Sequence, residues 1–199
     1  MRRLTFVLAM LFLAIIVNAQ DRKTAPAKVE KIEGVPVYVF STPADDYEIV
    51  GKALKAGSII KVSVNMSATV REKVQKMVIK ALKRQEEGKV PNFDGIIFNL
   101  DNDKVQAVKF AEEGKHLNAN PTKYKEVSIY MFSEPTSDYE VLATLDADYS
   151  IRAGNSVLID KVESMLNRTL KKETAGEVEH FDAVIINPDD LSEKLIKFK

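Results

Sequence analysis

The chain repeats itself. Tyr38-Val-Phe-Ser-Thr-Pro-Ala-Asp-Asp-Tyr-Glu48 returns as Tyr130-Met-Phe-Ser-Glu-Pro-Thr-Ser-Asp-Tyr-Glu140, identical at seven of eleven positions with a spacing of 92 residues. Phe93-Asp-Gly-Ile-Ile-Phe-Asn-Leu-Asp101 returns as Phe181-Asp-Ala-Val-Ile-Ile-Asn-Pro-Asp189 at a spacing of 88, so the second copy is four residues shorter in between. Self-similarity of this kind predicts a tandem duplication, and it constrains the fold strongly because one module must serve twice.

Within each copy the periodicity of apolar residues predicts the elements. Val35-Pro-Val-Tyr-Val-Phe40 alternates and is rich in β-branched and aromatic residues, which predicts a strand, with Ser41 to Asp45 as a Pro43-containing turn. Tyr47 to Asn65 reads as a second extended region, interrupted by Gly51 and Gly57. Val70, Val74, Met77, Val78, Ala81 and Leu82 then fall on one helical face, as Leu158, Val162, Met165, Leu166 and Leu170 do in the second copy, with Asn155 or Ser156 as the expected N-cap. Lys80, Lys83 and Arg84 close the first helix and Arg168, Lys171 and Lys172 the second, where cations complement the negative end of the helix dipole. The apolar runs at Phe93 and Phe181, and the alternating stretches Val105–Phe110 and Leu191–Phe198, complete a β-β-α-β-β order.

The fold class expected is therefore α+β, a tandem duplication in which one amphipathic helix packs on a small, mostly antiparallel sheet in each module, the two being pseudo-twofold related. Residues 34–110 form the first module, 126–199 the second, and 111–125 the linker. Residues 20–33, polar and carrying Pro26, read as an N-terminal tether. One helix covers one face of a sheet, so the second face must be solvated, meet the sister module or meet a partner.

Arg2 and Arg3 precede an apolar run, Leu4 to Val17, that ends in Val17-Asn18-Ala19, the pattern of a secretory signal peptide over residues 1–19. The run is 14 residues long, short of the ~20 that a spanning helix needs. Cleavage after Ala19 leaves a mature chain of 180 residues with 27 basic and 29 acidic side chains, a balance that gives no reason to expect a nucleic-acid partner or an anionic membrane. Without cysteine, disulfides, thiolate metal sites and an N-terminal lipidated cysteine are all excluded, and stability must rest on the hydrophobic core.

The repeated Asp-Tyr-Glu is the candidate binding surface. Asp46, Tyr47 and Glu48, with Asp138, Tyr139 and Glu140, set an aromatic plane between two carboxylates, which suits a cation, a sugar or a peptide. The structural alternative is that both tyrosines pack on the sheet while Pro43, Pro135, Asp46 and Asp138 shape the turn. Asp101-Asn-Asp103 begins like a calcium loop, but Val105 stands where an oxygen ligand is needed and Gln106 where glycine is needed. His116 and His180 are the only histidines and neither has a second histidine at metal-ligand spacing. No Gly-x-Ser-x-Gly and no phosphate-cradling glycine loop is present. Asp94 and Asp182, being related by the duplication, read as one structural role played twice. The sequons at Asn65 and Asn167 read as coincidental, the second lying in a helix. No metal site, catalytic residue or cofactor is expected.

The order strand, Pro-containing turn, Tyr47-Glu-Ile-Val-Gly51, amphipathic helix, then Phe93-Asp-Gly-Ile-Ile97 or Phe181-Asp-Ala-Val-Ile185, resembles a bacterial envelope group. It is similar to the YbjQ-like heavy-metal-binding family and to the outer-membrane lipoprotein sensor of the Rcs stress pathway. The resemblance implies a β-β-α-β-β fold and an envelope location. The chain departs from that group in lacking cysteine and metal-ligand clusters and in carrying Ala143 where the first copy has Gly51. The expected function is thus an exported, non-enzymatic binding or scaffolding protein with an envelope protein partner. The alternatives are a hydrolase whose carboxylates meet between the modules, and a ligand or metal carrier.

Overall fold

A computed structural model describes residues 21–55, 61–62, 69–99, 104–146 and 156–199. The signal-peptide segment, Asn65, Asp101–Asp103 and Asn155 lie outside the described residues. The chain is a mixed α/β protein of the α+β kind, dominated by sheet. The first half contains β1 (Ala27–Val29), β2 (Lys31–Ile32), β3 (Val35–Val39), β4 (Ser41–Pro43), β5 (Tyr47–Lys55), β6 (Lys61–Val62), α1 (Val70–Glu86), β7 (Gly95–Asn99) and β8 (Lys104–Phe110). The second contains β9 (Asn118–Tyr124), β10 (Val127–Tyr130), β11 (Ser133–Pro135), β12 (Tyr139–Leu145), β13 (Ser156–Val157), α2 (Leu158–Thr174), β14 (Ala183–Ile186) and β15 (Glu193–Phe198).

One sheet runs β2-β3-β7-β8-β5, with β3 parallel to β7 and the other pairs antiparallel. The larger sheet runs β11-β1-β9-β10-β14-β15-β12, with β10 parallel to β14, its other pairs antiparallel, and β4 also paired to β9. Each helix supplies the crossover that a parallel pair requires. Two-residue turns with positive φ at both central residues, Glu33 and Gly34 (51° and 82°) and Lys125 and Glu126 (47° and 67°), join β2 to β3 and β9 to β10. Their twist matches that of the flanking strands.

The helices form where the apolar spacing predicts. Thr69 caps α1 in a capping box, its hydroxyl accepting from the Glu72 N–H while the Glu72 carboxylate accepts from the Thr69 N–H, and Lys83 and Arg84 occupy the last turn. Ser156, expected as a cap of the second helix, is instead part of the short strand β13. Val70, Val74, Met77, Val78 and Ala81 of α1 and Leu158, Val162, Met165 and Leu166 of α2 share one core with Val37, Val39, Ile96, Phe98, Ile129, Val184, Ile186 and Leu195 from the strands of both halves. Burying each such large side chain contributes roughly 1.5–3 kcal/mol.

The opposite sheet faces meet in a second core of Tyr38, Ile97, Val108, Phe110, Tyr130, Ala183, Ile185, Ile196 and Phe198, closed by Ala25, Ala27, Val29 and Ala119. This corrects three expectations. The lead-in 20–33 is no tether: β1 pairs with both β11 and β9, and Ala25, Ala27 and Val29 point inward while Pro26 and Lys28 face water. Small side chains at period two were the signal, masked by their polar neighbours. The linker 111–125 likewise contains β9, and Ser41–Pro43, expected as a turn, is the strand β4 that pairs with it. β1 and β4 pair only with strands far away in sequence, which local patterning could not show, whereas β9 has a distant face toward β1 and β4 and a local hairpin partner in β10.

Candidate functional site

The duplicated Asp-Tyr-Glu opens β5 and β12, and these are terminal strands of the two larger sheets among the described residues. Tyr47 pairs with Phe110 and Tyr139 with Phe198. The Asp46 carbonyl accepts the Ala111 N–H at 3.2 Å, and the Asp138 carbonyl accepts the Lys199 N–H at 3.1 Å. Main-chain carbonyls rather than the expected carboxylates thus anchor this corner. Both strands bulge at the same place, between Ile49 and Gly51 and between Val141 and Ala143. A bulge twists an edge strand away from a flat ladder.

Asp46, Glu48, Asp138 and Glu140 are all exposed. Tyr47 is 38% exposed, Ile49 54% and Val141 50%, so each edge presents apolar side chains to water. Tyr139 is more enclosed, packs against that core, and donates to Glu134 Oε2 at 3.0 Å. Burial first, and the Glu134 carboxylate second, push its phenol pKa up. The two Asp-Tyr-Glu triplets lie on different sheets and form two separate edges.

Asp46 also lines an open polar cleft of about 670 Å³, between the segment Ala111–Asn118 and the residues Lys28 and Asp45. Asp45, Asp46, Glu112 and Glu113 give it four carboxylates against Lys28 and Lys115. His116 forms one wall. Its ring stacks on Phe110, centroids 3.9 Å apart and 9° from parallel, and its Nδ1 is 2.9 Å from Asp45 Oδ2. Gly114 lies so close over the ring that a Cβ there would stand 3.2 Å from it. Beneath, the Tyr38 hydroxyl donates to the His116 carbonyl, and burial, with the Asp45 carboxylate behind it, holds that phenol well above its ordinary pKa. Sequence reasoning picked out His116 but not its partner Asp45, because the contact spans 71 residues.

The carboxylates considered for catalysis serve the backbone. Asp94 Oδ2 accepts the Phe110 N–H at 3.1 Å, and Asp182 accepts the Phe198 N–H at 2.9 Å and the Lys23 N–H at 2.9 Å. His180 Nδ1 lies 2.7 Å from Glu173 Oε1, and Glu173 also pairs with Arg22. Asp189 bonds Arg71, which bonds Glu30 as well. Among the described residues no group of three or more His, Asp or Glu is arranged to hold a metal ion, and no helix is long and apolar enough to cross a membrane. No protein-family model, curated protein or solved structure matches the chain.

Proposed function

We propose that the chain is an exported, non-enzymatic binding or scaffolding protein of the bacterial envelope that holds a protein partner along the outer edges of its sheets. The observation that carries this reading is the placement of the duplicated motif. Among the described residues both copies lie on the terminal strands of their sheets, with Tyr47, Ile49 and Val141 exposed. An edge strand with apolar side chains is a template for an extended partner segment, which gains main-chain hydrogen bonds from the ladder and specificity from alternate side chains. Export rests on Arg2-Arg3, the apolar run and Val17-Asn18-Ala19, and the family resemblance adds the envelope.

The architecture belongs to the same proposal: two β-β-α-β-β modules about a pseudo-twofold axis passing between Ala27 and Ala119. Several pairings support it. Ala27 faces Ala119, its own counterpart at a spacing of 92. Ala27 pairs with Pro135 as Ala119 pairs with Pro43, and Val29 with Ser133 as Pro121 pairs with Ser41. Phe40 and Phe132 both have positive φ, 52° and 56°, and their carbonyls accept from Thr122 and Glu30 at 2.8 and 2.9 Å. Each module thus receives the strand that precedes the other.

The test is capture from an envelope fraction by mature Gln20–Lys199, beside a Tyr47→Ala/Tyr139→Ala variant whose melting curve shows it folded. A protein retained by the wild type and lost by the folded variant supports the edge surface. Equal retention by both sinks it. The polar cleft beside Asp46 favours a second reading, a carrier of a small polar ligand, which a thermal-shift screen with an Asp45→Asn control would separate.

A further inference from the structure

In the second half the chain supplies a strap to itself. Lys23 N–H donates to Asp182 Oδ1 at 2.9 Å, and the Arg22 guanidinium donates to the Phe181 carbonyl, pairs with Glu173, and stands 4.5 Å over the Phe181 ring. The first half has the matching receptor. At a spacing of 88, Glu173, His180, Phe181 and Asp182 correspond to Gln85, Asn92, Phe93 and Asp94, and Gln85 Nε2 bonds Asn92 Oδ1 at 3.2 Å as Glu173 bonds His180.

The strap is what differs. Arg22 and Lys23 correspond, at a spacing of 92, to Gly114 and Lys115. Gly114 has no side chain and folds over His116, while Lys115 lines the cleft. Two acceptors are left over. Gln85 Oε1 is buried without a hydrogen-bond partner, and Asp94 Oδ1 has none among the described residues. Asp94 is exposed, whereas Asp182 is 4% exposed. A buried acceptor left unpaired, as Gln85 Oε1 is, is uncommon in native proteins and calls for an explanation, while Asp94 Oδ1 is open to water.

We propose that Gln85, Phe93 and Asp94 form a docking site for an extended peptide segment of a partner that carries an arginine, bound as Arg22–Lys23 is bound in the second half. The backbone N–H after the arginine meets Asp94 Oδ1, and the guanidinium reaches Gln85 Oε1 across the Phe93 ring. Arginine suits the place because its planar fork can serve a side-chain oxygen and a carbonyl together while lying over an aromatic face. Gln85 in place of a carboxylate removes the ion pair, so the bound segment exchanges rather than being fixed. This inference rests on the correspondence of the two modules and is separate from the edge-strand surface.

The experiment is a titration of the ¹⁵N-labelled mature chain with a synthetic peptide of the sequence Asp21–Ala27. Saturable shifts are expected at the Phe110 amide and the Gln85 carboxamide, half-complete below about 1 mM. The second-half site stays closed to the peptide, because its own strap competes at high effective concentration. An Arg22→Ala peptide, or Gln85→Ala in the protein, should weaken binding at least tenfold. An Asp94→Asn chain that melts normally should do the same. Equal binding of the Arg22→Ala peptide, no saturation, or shifts confined to Phe198 and Asp182 would overturn the proposal. The Tyr47→Ala/Tyr139→Ala chain should bind undiminished, and loss there would move the peptide to the edge strand and also overturn it.

Discussion

Val105 and Ala81 of the first half face the helix-side core where Glu193 and Thr169 stand in the second. The strand pairing around them is the same, β8 against β7 and β15 against β14. Glu193 is 5% exposed and accepts from the Thr169 hydroxyl at 3.2 Å. Burial raises its pKa to about 7, against smaller opposing effects of that hydrogen bond and of Lys172. One backbone scheme therefore accommodates an apolar contact and a titrating carboxyl at matching positions. The pairing is specified by the ladders and the turns, and the chemistry at a core position is free to drift as long as the polar group finds a donor.

A second contrast lies where Val29 and Pro121 correspond. The Leu117 carbonyl accepts the Val29 N–H at 2.8 Å, and the Tyr38 hydroxyl donates to the His116 carbonyl. In the other half the residue matching Val29 is Pro121, which has no N–H, and the Ala25 carbonyl is left to the Tyr130 hydroxyl at 2.6 Å. The tyrosine's partner thus differs by one position between the halves, alongside a proline that removes one N–H donor. The two preceding segments also differ in what they do: one straps Asp182 and the other lines the cleft around His116.

The largest effect should follow from removing residues 20–29. That deletion strips β1 from between β9 and β11, takes Ala25, Ala27 and Val29 from the second core, and leaves Tyr130 without its acceptor. The loss should approach the whole folding stability of about 5–15 kcal/mol, seen as the absence of a cooperative melt. A truncated chain that still unfolds cooperatively near the parent temperature would mean that the strap does not hold the halves together.

Exchange of the differing core pair comes next. Below pH 4.5 Glu193 is protonated in both states, and between 4.5 and 7 the unfolded chain ionises while the folded one keeps its proton, so stability falls as pH rises. Above pH 7 the full penalty is present, roughly 3 kcal/mol at about 1.4 kcal/mol per pKa unit. Glu193→Val with Thr169→Ala, copying the first half, should flatten this dependence in urea titrations and recover most of that amount above neutrality. An unchanged pH profile would refute the assignment.

The paired aspartates should separate by a smaller margin. Asp182→Asn disturbs a buried group with two backbone donors and should cost about 2–3 kcal/mol, whereas Asp94→Asn, exposed and with one donor, should cost under about 1 kcal/mol. Equal losses would show that the Lys23 contact adds nothing.

Much of the scaffold was legible. The 3.6-residue spacing located both helices, alternation located the strands at Val35, Val105 and Leu191, and short apolar runs located those after Phe93 and Phe181. What escaped were β1, β4 and β9, whose mutual pairing brings distant segments together, and the wall that His116 forms with Asp45. Alternation marks Glu193 as inward-facing, at two residues from Leu195, but a carboxylate at such a position reads as an exception until Thr169 is seen above it. The Asp-Tyr-Glu triplets were visible as a repeat, while their position on terminal strands depended on the sheet order.

The smallest test concerns the two hairpin turns. Gly34 and Glu126 occupy the second central position, at φ of 82° and 67°, where an L side chain meets a steric penalty and glycine does not. Glu126→Gly should therefore stabilise the second half by about 0.5–1 kcal/mol, and Gly34→Glu should destabilise the first by a similar amount. For a chain of this length that is a change in melting temperature of about 2–4 °C per kcal/mol, in opposite directions. A Cβ at Gly34 would meet no atom within 4 Å, so packing cannot supply the difference and the backbone conformation alone must. If the two substitutions shift the melt in the same direction, the turns are not equivalent and the match between the hairpins is only topological.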